Sequence, residues 1–496
     1  MQSACVSSRC ARALTFITRN GLLKKRNGKH RFGLLASVLT ACIAPTVQAA
    51  AAEDFAKVLA DAPSHHRFII TYRDGANESI GPMAVANSLS EAAASLPAKR
   101  GRRLKLGKLR TLATGSEVVA ANRPLDNVEA EALMRRLAAD PAVASVEVDQ
   151  LLQPQLTPND VAFGKQWAFG TTPAGINVRP AWDQATGKGI VVAVVDSGIT
   201  SHPDLDAQML PGYDFVSDSV HARDGDGRDA NPTDEGDWRS AGECPNPRPQ
   251  DSLWHGTHVA GTVAAVTHNA IGVVGTAFEA KVVPVRVLAK CGGWTSDIVD
   301  GIVWAAGGTV AGAPRNEHPA EIINLSLGGD GPCSASYQRA IAIATERGAT
   351  VVVAAGNEST DASWSTPANC ANVVTVAATH SRGGRAGLSN YGEAIEVSAP
   401  GEGIISTLNS GTTVPAQPDY GFMTGTSMAT PHVAGVVALM QSVAPQPLTP
   451  ATVRNILQRT TRPLPRACPE GCGAGIVDAA AAVAAARNGV PGQGKP

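Results

Sequence analysis

The sequence predicts an α/β protein in three layers, a parallel sheet with helices on both sides, preceded by a small ferredoxin-like α+β domain. Two observations carry this. From about Thr157 onward, short continuous β-branched runs alternate with helical patterns. Such runs suit strands buried on both faces, which need no polar alternation. Between Arg67 and Asp149 the order is instead strand, helix, strand, strand, helix, strand.

In chain order, the first segment belongs to neither fold. Lys24, Lys25, Arg26, Lys29 and Arg31 precede an apolar run from about Phe32 to Val47, and small residues follow to Ala50. That order is the signature of a secretory signal, residues 1–49, cleaved near Ala49. The basic part is long, and a start near Leu22 or Leu23 would shorten it. Leu39-Thr40-Ala41-Cys42 also resembles a lipobox, so an outer-membrane lipoprotein acylated at Cys42 is the alternative to a secreted protein.

Residues 50–155 form the small domain, with a core at about 67–149. Its strands are expected at Arg67–Tyr72, near Leu109, near Val118 and at Val143–Val148, and its helices at Met83–Leu96 and Val128–Ala139. Asp140-Pro141 ends the second helix, because proline cannot continue one. The basic run from Lys99 to Arg110 reads as a solvated loop, since no aromatic interleaves it.

Residues 156–488 form the large domain, and 489–496 read as a disordered tail. Strands are expected at Ile190–Val195, Val282–Val287, Ile322–Leu325, Val351–Ala355 and Val373–Ala378. Helices are expected at Trp254–Ala265, Asp297–Ala306, Ser336–Arg347, Thr430–Gln441, Ala451–Gln458 and Ile476–Arg487.

Composition removes other classes. With 42 Lys+Arg against 43 Asp+Glu the net charge is -1, which argues against a nucleic-acid partner. Hydrophobic residues at 44% suffice for a large core, yet no run is long enough for a polytopic membrane protein. Of 9 cysteines, Cys5, Cys10 and Cys42 fall in the segment to be removed. The remaining even set suits disulfides in an oxidising compartment. Sequential pairing, Cys244–Cys291, Cys333–Cys370 and Cys468–Cys472, closes local loops and is the pairing expected.

Three motifs stand at the edges of predicted elements. Val194-Val195-Asp196-Ser197-Gly198 puts a carboxylate where a buried strand meets a loop. His255-Gly256-Thr257-His258 opens a helix with an imidazole, and Gly425-Thr426-Ser427-Met428-Ala429 puts a hydroxyl at another helix start. A serine hydroxyl becomes a nucleophile when an imidazole takes its proton, and a buried carboxylate fixes that imidazole's tautomer. Ala354-Ala355-Gly356-Asn357-Glu358 adds an amide donor, Asn357, for a developing oxyanion. These motifs, in the order Asp, His, Ser, resemble the subtilisin-like serine proteases over about Asn159 to Ala480, and the domain before them resembles the family's inhibitor propeptide.

The resemblance implies a catalytic triad of Asp196, His255 and Ser427 with Asn357 in the oxyanion hole. It implies a substrate groove between Ser326-Leu327-Gly328-Gly329 and Gly292-Gly293-Trp294. Leu327, Ala354, Ala355 and Gly356 would wall the pocket for the residue before the scissile bond, with Glu358 near its rim. An apolar preference with broad specificity follows. It also implies a structural Ca2+ held by Asp160, Asp204, the Asn269 side chain and backbone oxygens of Thr267, Ile271 and Val273. The acidic insertion with Asp224, Asp226 and Asp229 reads equally as a solvated loop or a second calcium site. The whole then reads as a secreted, monomeric, autoprocessed endopeptidase acting on protein and peptide substrates, with its propeptide as intramolecular inhibitor. An inactive homologue that binds peptides, and a peptide ligase or transferase using the same acyl-enzyme, are the rival functions.

Overall fold

The computed structural model describes residues 64–73, 82–99, 101–150, 157–245 and 248–489, together with Phe55 and Leu59. The chain divides into two compact units, Met1–Leu151 and Leu152–Pro496. The expected signal, Cys42 and the tail beyond Gly489 lie outside the described residues.

The first unit runs β1 (His65–Tyr72), α1 (Pro82–Ala94), β2 (Leu106–Thr111), β3 (Glu117–Leu125), α2 (Asn127–Ala138) and β4 (Val143–Val148). Its sheet order is β2-β3-β1-β4 with every neighbour antiparallel, which is the ferredoxin-like arrangement. Asp126 and Glu129 form a reciprocal capping box that fixes the start of α2. Leu133, Met134 and Leu137 of that helix pack on Phe68, Ile70 and Val119. Part of the basic run is not a loop. Lys108 and Arg110 lie on the exposed edge strand β2, where charge discourages pairing with another chain.

The second unit is built on a seven-stranded sheet, order β13-β12-β10-β8-β5-β7-β6, parallel throughout. Its strands are β5 (Val191–Asp196), β6 (Tyr213–Asp214), β7 (Lys281–Arg286), β8 (Ile322–Leu325), β10 (Thr350–Ala354), β12 (Val373–Thr379) and β13 (Val397–Pro400). Short turns of helix α3 (Arg179–Trp182) and α4 (Ser219–Ala222) flank β5 and β6. The main helices are α5 (His255–Ala264), α6 (Thr295–Ala305), α7 (Ala335–Glu346), α8 (Thr426–Val443), α9 (Pro450–Thr460) and α10 (Ala479–Asn488).

Alternation along each strand sends side chains to two cores. Val192 and Val194 join one with Val259 and Val263 of α5 and Val433 and Val437 of α8. Ala193 and Val195 join the other with Ile298 and Ile302 of α6 and Ile341 of α7. That two-sided burial is why the strand sequences are continuously apolar.

Besides the added sheet strands β6 and β13, two features differ from the expectation. Helix α8 starts at Thr426 rather than Thr430 and carries Pro431 inside it. A proline there lacks the N–H that would bond the carbonyl four residues back, on Ser427. That carbonyl accepts the Ser326 hydroxyl instead, at 2.8 Å. Outside the main sheet, β9 (Gly329–Asp330) pairs with β11 (Ser365–Thr366), and β14 (Ile404–Asn409) forms a hairpin with β15 (Pro418–Met423). The hairpin was not expected, because Asp419-Tyr420-Gly421 interrupts any regular alternation. The disulfides are Cys244–Cys291, Cys333–Cys370 and Cys468–Cys472, the pairing expected.

Candidate active site

The order of the central strands reverses around β5, and ligands of open α/β sheets gather beyond the carboxyl ends of strands at such a point. Asp196 is the last residue of β5 and is fully buried. Its Oδ1 accepts from the Ser197 backbone N–H at 2.8 Å and from His255 Nδ1 at 2.7 Å. His255 opens α5 directly after Trp254, a buried residue at φ +54° whose indole N–H bonds Gly411 O at 2.7 Å. A tryptophan held in the left-handed region is strained backbone next to the imidazole, and the indole bond helps hold it. A Cβ on Gly256 would strike the Gly198 carbonyl, so only glycine lets α5 approach β5 this closely.

Burial works against a charged His255. The charge and hydrogen bond of Asp196, with Asp237 and Asp234 behind, outweigh it and raise the imidazole above its ordinary pKa. With Nδ1 bonded to Asp196, Nε2 is the nitrogen left for a proton transfer.

Ser427 lies in the first turn of α8 and is locked to the end of β8 by a reciprocal pair of bonds. Its Oγ donates to Ser326 O at 3.1 Å, and the Ser326 hydroxyl donates to Ser427 O. Asn357 Oδ1 accepts from the Thr426 N–H at 2.8 Å and the Thr426 hydroxyl at 3.0 Å, which commits its oxygen and leaves the Nδ2 end to be presented. Ser427 and Asn357 line an open cleft of about 370 Å³ with Leu327, Gly328, Gly329, Ala354, Gly356 and Glu358.

Not every expected residue meets this cleft. Ala355 is fully buried against Ala362, Ala377 and Ile395, on the opposite side of the chain from Ala354. Gly292, Gly293 and Trp294, expected along the groove rather than in this pocket, follow a turn in which Ala289 and Gly292 exchange backbone bonds, and Trp294 is exposed and stacked on His221. Ser365 and Thr426 were missed as lining residues. Thr426 sits inside the serine motif, so its position was a usable signal; Ser365 reaches the cleft from a distant strand and had none.

At the expected calcium loop, Asn269 Nδ2 donates to Asp204 Oδ1 at 2.6 Å and its own Oδ1 accepts the Ile271 N–H at 3.0 Å. Asp204 is fully buried, and burial pushes its carboxyl above the ordinary range against hydrogen bonds from Asn269, Val273 and Tyr420. Asp160 accepts from His268 N through one oxygen, while its buried Oδ1 has no partner. That orphaned oxygen, beside a second buried carboxylate, fits a hard cation.

The acidic insertion does not form a second cation site. Asp224 bonds buried Arg286, Asp229 caps the Asn231 N–H, and Arg228 bonds Asp297 and Asp300. Among the described residues no group of three or more His, Cys, Asp or Glu has metal-binding geometry. Arginines, rather than a metal, supply the countercharge.

Comparison with known proteins agrees with this architecture. The model of the subtilase family matches residues 187–475. The chain is 60% identical over 468 residues to an extracellular protease of Xanthomonas campestris, covering 94% of this chain and 80% of that one. It is 47% identical to an extracellular basic protease of Dichelobacter nodosus, covering 84% and 70%. A solved protease structure from Pseudoalteromonas arctica is 53% identical with a TM-score of 0.66, covering 67% of this chain and all of that one. By its parallel sheet, its motifs and these matches, the chain belongs to the subtilase family and is a subtilisin-type serine protease.

Proposed function

We propose that the protein is a secreted endopeptidase that cleaves peptide bonds through Ser427, His255 and Asp196. The observation that carries this is the 2.7 Å bond from His255 Nδ1 to fully buried Asp196. It fixes the tautomer, so Nε2 takes the Ser427 proton as the hydroxyl oxygen attacks the carbonyl carbon. The carbonyl oxygen gains charge and is received by Asn357 Nδ2 and the Ser427 N–H at the start of α8. The imidazolium then protonates the leaving amine. A water repeats the sequence and releases the acid.

Leu327 and Ala354 give the cleft apolar walls, while Glu358 Oε2 is engaged by the Asn357 N–H and Asn390 Nδ2. Broad cleavage with an apolar preference follows. Asp160, Asp204, Asn269 and carbonyl oxygens of Thr267, Ile271 and Val273 would hold Ca2+, whose charge would stabilise two buried carboxylates. The βαββαβ unit acts as an inhibitor removed on maturation, and secretion accords with relatives named extracellular proteases.

A serine-directed phosphonate is expected to label Ser427 in the mature protein and not in Ser427→Ala. Wild-type protein that neither labels nor cleaves casein after processing sinks the proposal. N-terminal sequencing and intact mass of secreted material test the signal and the maturation site, and Ser427→Ala is expected to remain at precursor mass.

A further inference from the structure

The insertion before α5 reaches the back of the Asp196–His255 pair. Ser197 directly follows Asp196, and Gly256 directly follows His255. The Ser197 hydroxyl accepts the Gly256 N–H at 3.0 Å and donates to Asp234 Oδ2 at 2.7 Å. A hydroxyl has one proton, so donating it to Asp234 turns the oxygen's lone pairs toward Gly256. The Gly256 N–H is one of the orphan donors of a helix's first turn, and this bond satisfies it.

Asp234 is itself clamped. The residue is 2% exposed, its Oδ1 accepts from Gly236 N at 2.9 Å, and its own N–H bonds Ile199 O at 3.0 Å. We propose that Asp234 is a positioning residue for the Asp196–His255 pair, acting through the Ser197 hydroxyl and through its own negative charge. The inference rests on the triad proposed above. It assigns a function to an acidic segment whose sequence suggested only a metal site or solvated charge.

The charged surroundings are specific. Asp196 on β5 faces His255 directly, with Asp237 and Asp234 from the insertion adding to it, while His258 on α5 is held neutral by burial and by the charge of His255. Arg286 on β7 faces Asp234 and is itself paired with Asp214 on β6 and with Asp224. Burial pushes Asp234 up to about 7 against its bonds from Ser197 and Gly236.

The test is steady-state kinetics against pH on the mature enzyme processed from the full chain. In Asp234→Asn an amide oxygen can still accept from Ser197 while the charge is gone. The acid limb of kcat/KM is expected to move down by about half a pH unit, because the imidazolium loses an anionic neighbour. In Ser197→Ala, kcat is expected to fall on the order of tenfold with KM unchanged, since the pair is misplaced while the cleft is intact. An unmoved limb in Asp234→Asn overturns the proposal. If that variant does not mature, Ser197→Ala decides: a loss confined to kcat supports the proposal, and an unchanged kcat overturns it. Wild-type enzyme that labels at Ser427 while the limb stays put condemns only the role of Asp234; absence of labelling condemns the triad itself.

Discussion

Asn357 can present only one end of its amide to the cleft, because Thr426 holds the other with both its N–H and its hydroxyl. Under the proposed mechanism, replacing it with Ala removes a donor aimed at charge that exists only in the transition state. The expected result is a fall in kcat of about 10²–10³ with little change in KM, read by steady-state kinetics on a peptide substrate. His255 sets the pH range. Its pKa is raised, and in the proposed mechanism the neutral imidazole is the form that accepts the serine proton. Activity should therefore be full above that raised value and fall as pH drops through it, with an acid limb above an ordinary histidine's ~6.5. At the specificity cleft, Ala354→Val would narrow one wall. Large apolar residues before the scissile bond should then be disfavoured against small ones by about 10–200-fold in kcat/KM.

Among the elements, α5 and the β14–β15 hairpin depend on each other. His258 Nε2 lies 3.0 Å from Ile404 O and 3.2 Å from Gly421 O, one carbonyl from each strand. Burial lowers its pKa to about 3, so it stays neutral there. Gly261 lets the same helix lie against the hairpin, since a Cβ at that position would strike the side chains of Thr407 and Ser406. Gly261→Ala is expected to destabilise the protein by about 1–3 kcal/mol despite its better helix propensity, measured by urea unfolding of an active-site-blocked sample. Pro431 illustrates the same coupling between elements. Its missing N–H leaves the Ser427 carbonyl to Ser326, so the helix carrying Ser427 is tied to the end of β8.

On the scale of the whole molecule, stability should depend on calcium. A cation that binds only the folded chain stabilises it by mass action, about 2.7 kcal/mol at a hundredfold excess over Kd. Chelation of the purified enzyme is expected to lower Tm, and Asp204→Ala to make Tm insensitive to added Ca2+. A wild-type Tm unchanged by chelator and by millimolar Ca2+ would remove the site. Two of the disulfides tie loops to the catalytic unit at a distance: Cys244–Cys291 joins the insertion to the turn before α6, and Cys333–Cys370 joins the start of α7 to the segment before β12.

The continuous runs Val191–Val195, Ile322–Leu325 and Val373–Ala378 determined a parallel sheet by themselves, because burial on both faces leaves no polar period to confuse. The motifs around Asp196, His255, Asn357 and Ser427 could be picked out as a candidate site for a related reason: each sits where an element begins or ends, with the small residues that close approach demands. The hairpin, the early start of α8 and the burial of Ala355 were not legible, since each depends on what a distant segment places beside it. The acidic insertion shows the difference most clearly. Its carboxylates were visible as charge, but sequence carries no distance between residue 234 and residue 197. Only the tertiary structure brings Arg286, Arg228 and Ser197 to them, and a carboxylate's role is set by whichever donor shares its buried volume.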